Sequence, residues 1–300
     1  MPPTPYTHAP PADFVLPFDL PEVNLRGRLV RLDLASTQAL AAHALPEPAA
    51  RAAGEMLALA AILGTSLKLD GRLTVQNKSD GALELMTADY YGAAAGKPIG
   101  LRAYGRLDAE AFAALPAPVD FAALTGDGSL GITIEPQRGA QAYQGIVELS
   151  PAGVAASAET YFAQSEQLPT ALRLAAAPLY LPGRSEPTWR AGGIMLQATP
   201  DGLGADDDWE RLTAFLATVE DIELLDTQLP AEKLLWRLFH EDEARVLPFQ
   251  RIEFRCSCDA SRISEVLRGY APEARNALAD PDGIIRARCE FCGTVHTIAA

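Results

Sequence analysis

The feature that most constrains this chain is a set of four cysteines near its C-terminal end. They form a C-x-C pair and a C-x-x-C pair with thirty residues, 259–288, between them, and the 300-residue sequence holds no other cysteine. Two close pairs of thiols are a typical ligand set for a tetrahedral metal site, with Zn²⁺ as the first expectation and a rubredoxin-like iron as the main alternative. The predicted metal ligands are Cys256, Cys258, Cys289 and Cys292.

The residues around the cysteines fit an anionic metal centre. Four thiolates on Zn²⁺ leave a net charge of about −2, and such a centre favours cations nearby. Gly293 directly follows the last cysteine, where a residue free to adopt positive φ lets the turn fold back on the metal. The basic residues that flank the ligands are Arg251, Arg255, Arg286, Arg288 and His296.

The spacing leaves two interpretations of this site open. In the first, the metal is purely structural and stabilises a tail too small to bury a core of its own. In the second, the site is reactive, because thiols one or two residues apart are close enough to oxidise to each other once the metal leaves.

Composition limits the partners and the compartment. Lys and Arg number 25 against 39 Asp and Glu, a formal net charge of −14, so neither nucleic acid nor an anionic membrane is an expected partner. No run of about 18 apolar residues predicts a transmembrane helix. The Pro-rich N-terminus does not match a signal peptide, so we expect a cytoplasmic protein whose thiols stay reduced and free to bind metal.

Hydrophobic patterning predicts an α+β fold with four parts. Residues 1–20 are predicted to be a disordered Pro-rich lead-in, and residues 21–200 a sheet-rich core with crossing helices. We expect residues 201–250 to be a metastable acidic helical linker, and residues 251–300 to be a small zinc-binding domain that serves as a redox switch. Within the core, helices are predicted at 46–63 and 154–164, a hairpin around Ser79-Asp80-Gly81, and strands at 27–34 (half-buried), 100–107, 129–135, 144–149, 171–174 and 193–198.

The linker combines strong negative charge with a helical apolar pattern. Residues 201–243 hold thirteen acids and three bases. Like-charge repulsion and short length both disfavour such helices in isolation, so we expect them to be ordered only while docked on the core. Their apolar stripe is Trp209, Leu212, Leu216, Val219, Leu234, Leu235, Leu238 and Phe239.

No residue pattern indicates catalysis, and we expect a protein that is not an enzyme. The glycines at 126–128 and 192–193 lack a following P-loop lysine and are predicted to be turn glycines. The four histidines, at positions 8, 43, 240 and 296, are scattered along the chain, and no Ser/His/Asp constellation accompanies them.

Four stretches are specific beyond the cysteine spacing. They are Cys256-Ser-Cys258 with Cys289-Glu-Phe-Cys292, Ser165–Thr170 (SEQLPT), Gly192–Gln197 (GGIMLQ) and Leu234–Glu241 (LLWRLFHE). With them the chain resembles, from about residue 24 to residue 295, the redox-regulated heat-shock protein 33 family of bacterial holdase chaperones. The Pro-rich lead-in departs from the family, and nothing carries over to it.

The resemblance implies a mechanism that the spacing does not. The four cysteines would bind one Zn²⁺ per chain in a reduced, inactive state. Under oxidative stress, zinc would leave and disulfides Cys256–Cys258 and Cys289–Cys292 would form. The linker, about 201–250, would then unfold and expose surface that holds unfolded or aggregating client proteins without ATP. The active form would often be a homodimer, and clients would pass to ATP-dependent foldase chaperones.

Three other functions remain as alternatives. A thiol–disulfide oxidoreductase would use C-x-x-C at a helix N-terminus that follows a strand, whereas Cys289 and Cys292 lie in a basic stretch near the chain end. A zinc-ribbon nucleic-acid binder conflicts with the charge of −14. The third alternative is an assembly protein whose zinc is permanently structural.

Overall fold

The computed structural model describes residues 11–93, 96–137, 141–200 and 206–299. It confirms the α+β class, with one 11-stranded sheet, helices on both of its faces and a separate two-stranded hairpin near the C-terminus. The strands are β1 (Phe14–Leu20), β2 (Leu25–Leu32), β3 (Arg72–Ser79), β4 (Leu85–Tyr91), β5 (Ile99–Arg106), β6 (Gly128–Glu135), β7 (Tyr143–Glu148), β8 (Thr170–Leu179), β9 (Thr188–Ala198), β10 (Arg245–Val246), β11 (Gln250–Phe254), β12 (Ile284–Arg288) and β13 (Val295–Ala299).

The large sheet joins segments that are far apart in the chain. Its strand order is β7–β6–β3–β4–β5–β11–β1–β2–β9–β8, and β10 pairs with β1 beside β11. The described neighbours are antiparallel except for β5 and β11, which run parallel. The strand that leads into the first cysteine pair is therefore enclosed by core strands on both sides.

Ten α-helices are found in the described residues, and none combines the length and apolarity that crossing a bilayer requires. A π-helical turn, Phe162–Glu166, extends the fifth helix, and 3-10 turns occupy Pro21–Val23 and His240–Asp242. The helices are α1 (Leu34–Leu40), α2 (Glu47–Ser66), α3 (Ala109–Ala113), α4 (Phe121–Thr125), α5 (Val154–Tyr161), α6 (Asp206–Ala217), α7 (Asp221–Leu225), α8 (Ala231–Phe239), α9 (Ala260–Arg268) and α10 (Pro272–Leu278).

Helix α2 is the centre of the main core, as its Ala- and Leu-rich sequence predicts. Most of its 20 residues are buried, and it packs on β4 and β5 as well as on β8 and β9. Small side chains let it lie close to the sheet; a Cβ on Gly54 would come within 2.6 Å of the Ala176 Cβ. One helix thus holds both halves of the sheet together.

The predicted strands exist, with differences in extent and burial. The β3–β4 hairpin and strands β5, β6 and β7 match their predicted positions, whereas β8 and β9 begin earlier or run longer than expected. The prediction of a half-buried strand at 27–34 is wrong about burial. Val30 and Leu32 of β2 face α2, while Leu25 and Leu29 face a second apolar cluster on the other side.

The prediction of disorder up to residue 20 is wrong for residues 14–20, and residues 1–10 lie outside the described part. Strand β1 is interior to the sheet even though it contains Pro17. Proline is tolerated where no partner needs its missing N–H. The neighbouring chain is broken there: Val15 pairs with β11, Phe18 pairs with β10, and Pro17 only accepts a hydrogen bond, from the Leu247 N–H at 2.9 Å.

The predicted start of the C-terminal module also needs correction. Residues 251–254 belong to β11 and pair with β1 and β5, so they are part of the core sheet. The separate module begins only at the C-x-C pair. The remaining boundaries stay predictions, and residues 201–205 lie outside the described part of the chain.

The acidic helices cover the face of the sheet opposite α2. Side chains of α6, α7 and α8 form an apolar cluster with β1, β2 and β9. In this cluster Leu212, Leu216, Leu235 and Leu238 are almost fully buried. The Phe239 ring stacks on Phe18 with centroids 5.7 Å apart. The predicted apolar stripe is therefore docked on the core.

A buried arginine fixes the linker from below. Arg31 of β2 donates hydrogen bonds to the backbone carbonyls of Glu223 (2.9 Å), Leu224 (3.1 Å) and Leu229. The Leu224 carbonyl is buried and would otherwise be unpaired, which costs about 1–3 kcal/mol, and the other two carbonyls are partly buried. The contact ties the middle of the linker to an interior strand.

Gly192 and Gly193 are not turn glycines, contrary to the prediction. Both lie within β9, where glycine often marks a close approach of other chain segments. A Cβ on Gly192 would stand 2.8 Å from the Leu224 carbonyl oxygen of α7, and one on Gly193 would stand 2.6 Å from the Leu174 side chain. The first glycine therefore makes room for the linker.

Ion pairs relieve part of the charge repulsion in the linker. Arg211 pairs with the buried Asp242 at 2.6 Å, and Arg173 of the core pairs with Asp221 at 3.3 Å. The Arg211–Asp242 pair lies within the linker; the Arg173–Asp221 pair, which joins the linker to the core, is mostly exposed, and such pairs contribute only about 0–1 kcal/mol. Apolar burial and the Arg31 contacts therefore dominate docking.

We expect Leu235→Ala to undock the linker without disturbing the main core. Leu235 is 1% exposed, and deleting a buried leucine side chain costs about 2–5 kcal/mol. Limited proteolysis should show faster cleavage within 206–243. The control is Trp236→Ala, since Trp236 is 65% exposed on the same helix and its loss should cost less than about 1 kcal/mol. Equal cleavage of the two variants would contradict the docked arrangement.

Candidate metal centre

The structure brings all four predicted cysteines together. Their Sγ atoms lie within 4.8 Å of one another, with 3.7 Å between Cys256 and Cys289 and 3.4 Å between Cys258 and Cys292. Four sulfurs at about 2.3 Å from a tetrahedral Zn²⁺ would stand about 3.8 Å apart, so small shifts would complete the geometry. The donor set and its spacing therefore fit a zinc ion.

A tight turn between β12 and β13 presents the second pair. The Gly293 N–H donates to the Cys289 carbonyl at 2.8 Å, and the Cys289 N–H donates to the Thr294 carbonyl at 2.9 Å. Gly293 has φ of 70°, which confirms the expectation of positive φ after the last cysteine. The turn thus folds the two sulfurs toward one point.

The first pair is positioned by the core sheet. Cys256 and Cys258 come just after β11, and the intervening Arg255 anchors the exit of that strand. Arg255 donates to the carbonyls of Tyr91 and Gly92, both at 3.1 Å. The C-x-C pair therefore starts from a fixed point on the core.

The sulfurs strongly influence each other's ionisation. Burial opposes ionisation of Cys292, but hydrogen bonds with the Thr294 hydroxyl and backbone, and then with Cys258 and Cys289, lower the pKa of this thiol to about 6. Burial, and after it hydrogen bonds with Cys292 and Cys256, raises the pKa of Cys258, and burial likewise raises the pKa of Cys289. Four thiolates therefore coexist here only with a cation among them.

One core side chain reaches both cysteine turns. Arg102 of β5 lies with Nη1 3.8 Å from Cys256 Sγ and 3.1 Å from Ser257 Oγ. Its guanidinium carbon also lies 3.8 Å from the ring centroid of Phe291, between the two cysteines of the second turn. The cation near the sulfurs therefore comes from the core.

The predicted basic surroundings are only partly correct. Arg286 turns away from the sulfurs and pairs with Asp280 and Asp282, and Arg255 binds core carbonyls. Arg288 donates to the Ala42 carbonyl at 3.3 Å. These flanking residues hold the module and its turns, whereas Arg102 contacts a sulfur.

Sequence reasoning did not find Arg102, Phe291 or Ser257 as site residues. Arg102 lies 154 residues before Cys256, and no local motif marks it. The C-x-x-C spacing places Phe291 in the turn but says nothing about its contact with the core. Only the pairing of β5 with β11 brings these groups together.

Comparisons with known proteins agree with this architecture. The family model for Hsp33 protein matches residues 13–299. Curated relatives named 33 kDa chaperonin include one from Caulobacter vibrioides, 37% identical over 95% of this chain and 94% of the relative. A second, from a strain of Escherichia coli, is 34% identical over 92% and 88% of the two chains. The crystal structure of the 33 kDa chaperonin from Thermotoga maritima shares the fold, with a TM-score of 0.77, 20% identity and coverage of 95% and 94%.

We expect Gly293→Ala to weaken metal retention in the reduced protein. The left-handed conformation at φ of 70° costs a non-glycine residue about 1–2 kcal/mol, which corresponds to a roughly 5- to 30-fold faster zinc loss to a chelating dye. Gly293→Asn should recover much of the retention, because Asn tolerates this conformation. Equal release rates for wild type and the alanine variant would contradict this role of the turn.

Proposed function

This chain belongs to the Hsp33 family, and we propose that it is a redox-regulated holdase chaperone that works without ATP. The proposal rests on two features of this chain: four clustered thiols, and an acidic linker whose apolar face is docked on the core. The family membership supplies the chaperone class. Strands β10 and β11 lie between the linker and the thiols, which supports a physical connection between the two.

In the reduced state, Cys256, Cys258, Cys289 and Cys292 would hold one Zn²⁺, which supplies the positive charge that keeps four thiolates together. The small module has little else to stabilise it. Helices α9 and α10 bury none of their residues, and Ile285 is the one buried apolar side chain among the described residues after 254. Structural zinc contributes roughly 10–16 kcal/mol to such modules.

Strands β10 and β11 would carry the effect of metal loss to the linker. Strand β11 ends at the first cysteine pair and pairs with β1 and β5 over a few residues only. Strand β10 comes after the linker helices and pairs with β1 at Phe18 and Asp19. If the module unfolds, it no longer fixes the end of β11, and the adjoining β10 and linker lose their anchor.

Oxidation would remove the metal. Two thiolates give two electrons to a peroxide, which takes up two protons and becomes two molecules of water, and an S–S bond forms; hypochlorite would act as an alternative oxidant. We propose the pairs Cys256–Cys258 and Cys289–Cys292, although all four sulfurs are within 4.8 Å of one another. Local pairs leave the two turns unlinked, so the module is free to open. A disulfide across the turns would pin them together.

Undocking of the linker would expose apolar surface on both partners. The covered cluster includes Phe14, Leu16, Leu29 and Ile194 of the sheet and the leucines of α6 and α8. Such a surface would bind unfolded client proteins with little sequence preference. The net charge of −14 would keep client complexes dispersed. A homodimeric active form, transfer to ATP-dependent foldases and cytoplasmic location are parts of this proposal.

The alternatives fit the geometry less well. An oxidoreductase places C-x-x-C at a helix N-terminus, whereas Cys289 and Cys292 occupy a turn between two strands. A permanently structural zinc would leave the docked acidic linker without a role. Insulin-reduction turnover would favour the oxidoreductase, and zinc retained through peroxide treatment would favour the structural site.

We expect oxidised protein to suppress light scattering from a chemically unfolded client, and reduced zinc-loaded protein to have little effect. The reason is that the apolar cluster is covered in the reduced state. Zinc release, monitored with a chelating dye, should accompany activation. Equal suppression by both states would mean a constitutive chaperone and would remove the redox switch.

We also expect Cys289→Ser to loosen the linker without any oxidant, because a three-thiolate site holds Zn²⁺ less tightly. Faster proteolysis within 206–243 in reducing buffer is the measurement. The matched control is Ser264→Ala on α9, which changes a residue of the same module but removes no sulfur. An unchanged cleavage pattern in Cys289→Ser would sink the proposed coupling of metal and linker.

A further inference from the structure

The contact between the core and the metal module converges on Arg102. Its guanidinium touches Cys256 and Ser257 of the first turn and lies flat against Phe291 of the second. Other described contacts across this boundary include an aromatic contact and a hydrogen bond to a backbone carbonyl. Examples are Tyr104 against Phe291, with ring centroids 5.8 Å apart, and the Arg288 contact with the Ala42 carbonyl.

The guanidinium is held in place from the core side. Asp89 of β4 is fully buried and receives hydrogen bonds from Arg102 at 2.7 Å, from Arg72 at 2.9 Å and from Thr74 at 2.6 Å. Arg102 itself is 8% exposed. A fixed, desolvated cation interacts more strongly with a neighbouring anion than a mobile surface side chain does.

Tyr91 adds a second constraint on this group. Its ring lies 5.3 Å from the Arg102 guanidinium, and its hydroxyl lies 3.3 Å from Ser257 Oγ. The Arg102 side chain is thus bounded by Asp89, Tyr91 and Phe291, with the sulfurs at its open end. Asp89 and Tyr91 hold it from the core side, and Phe291 covers it from the module side.

We propose that Arg102 is a positioning residue that docks both cysteine turns on the core and holds a fixed positive charge against the four-thiolate site. This inference rests on the metal binding proposed above. Docking then depends on the charge state of the sulfurs. A thiolate centre of net charge about −2 attracts Arg102, whereas neutral disulfides attract it far less.

The consequence is a direct link between oxidation and release of the module. When the thiolates become disulfides, the module loses its metal and its main electrostatic contact with the core in the same step. The buried Asp89 keeps Arg102 neutralised after the module leaves, with Arg72 as a second partner. The core would therefore keep these ion pairs in both states, while the module, and with it the anchor of the linker, is released.

The test compares zinc release to a chelating dye and hydrogen exchange in reduced, zinc-loaded, full-length protein. Arg102→Gln should release zinc roughly tenfold faster and raise exchange at 284–299, because charge-assisted and cation–π contacts are lost. Arg102→Lys should lie nearer to wild type, since the charge remains. The matched control is Arg106→Gln on the same strand, where the exposed Arg106 pairs with Glu84 at 2.6 Å; neither measurement should change.

Phe291→Leu tests the contact from the module side and leaves Asp89 untouched. It should speed zinc release about two- to fivefold, and the Arg102→Gln, Phe291→Leu double variant should fall short of the product of the two single effects. Exchange in β3 and β4 serves as the check that the core remains folded. Added salt should speed release from wild type more than from Arg102→Gln.

The outcomes separate this inference from the function on which it rests. Wild type that binds zinc and switches, with Arg102→Gln and Phe291→Leu both indistinguishable from it, would overturn the role of Arg102 alone. Wild type that binds no zinc would overturn the proposed metal site and this inference together. Multiplicative effects in the double variant would show two independent contacts and would contradict a shared docking point.

Discussion

The structure depends on one electrostatic constraint: four thiols placed within 4.8 Å of one another do not all ionise without a cation. The module that carries them has almost no apolar core, and an isolated two-stranded hairpin is at best marginally stable. Under the proposed function, a metal in the sulfur cluster would therefore decide whether the module from Cys256 onward has a fixed fold. The main core does not share this dependence, because α2 supplies it with a large apolar interior.

The chain segment that joins the linker to the cysteines runs through the middle of the large sheet. Strand β11 lies between β5 and β1, and β10 lies beside it on β1, so the chain passes through the core on its way from the linker to the cysteines. Both strands are short and form few ladder hydrogen bonds, so neither is held strongly by itself. Each therefore relies on the chain segments on either side of it. In the proposed mechanism, docking of the linker and folding of the metal module thus depend on each other.

Sequence patterns predicted the features that are set by neighbouring residues, but not those that depend on pairing between distant segments. Cysteine spacing, the Ala-rich α2 and the β3–β4 hairpin are set by residues close in sequence, and all three were found where the sequence places them. The sequence does not predict strand β1, because proline disfavours an interior strand and the sequence does not show that Pro17 lies opposite the break between β10 and β11. Arg102 was missed because only the parallel pairing of β5 and β11 brings it to Cys256. The glycines of β9 were misjudged because Leu224, the group that approaches Gly192, comes from the linker.

The distribution of charge explains how the linker is held on the core and, in the proposed mechanism, released from it. Residues 201–243 carry thirteen acids and three bases, and the core meets them with Arg31 and Arg173 from below. While docked, carbonyls and carboxylates of the linker have cationic partners and its leucines are buried. If the linker undocked as proposed, the same acids would repel one another, oppose collapse of the free segment and keep it extended. In the proposed mechanism nothing covalent changes within the linker itself, so return of the metal to reduced sulfurs would restore the anchor and the original contacts could form again.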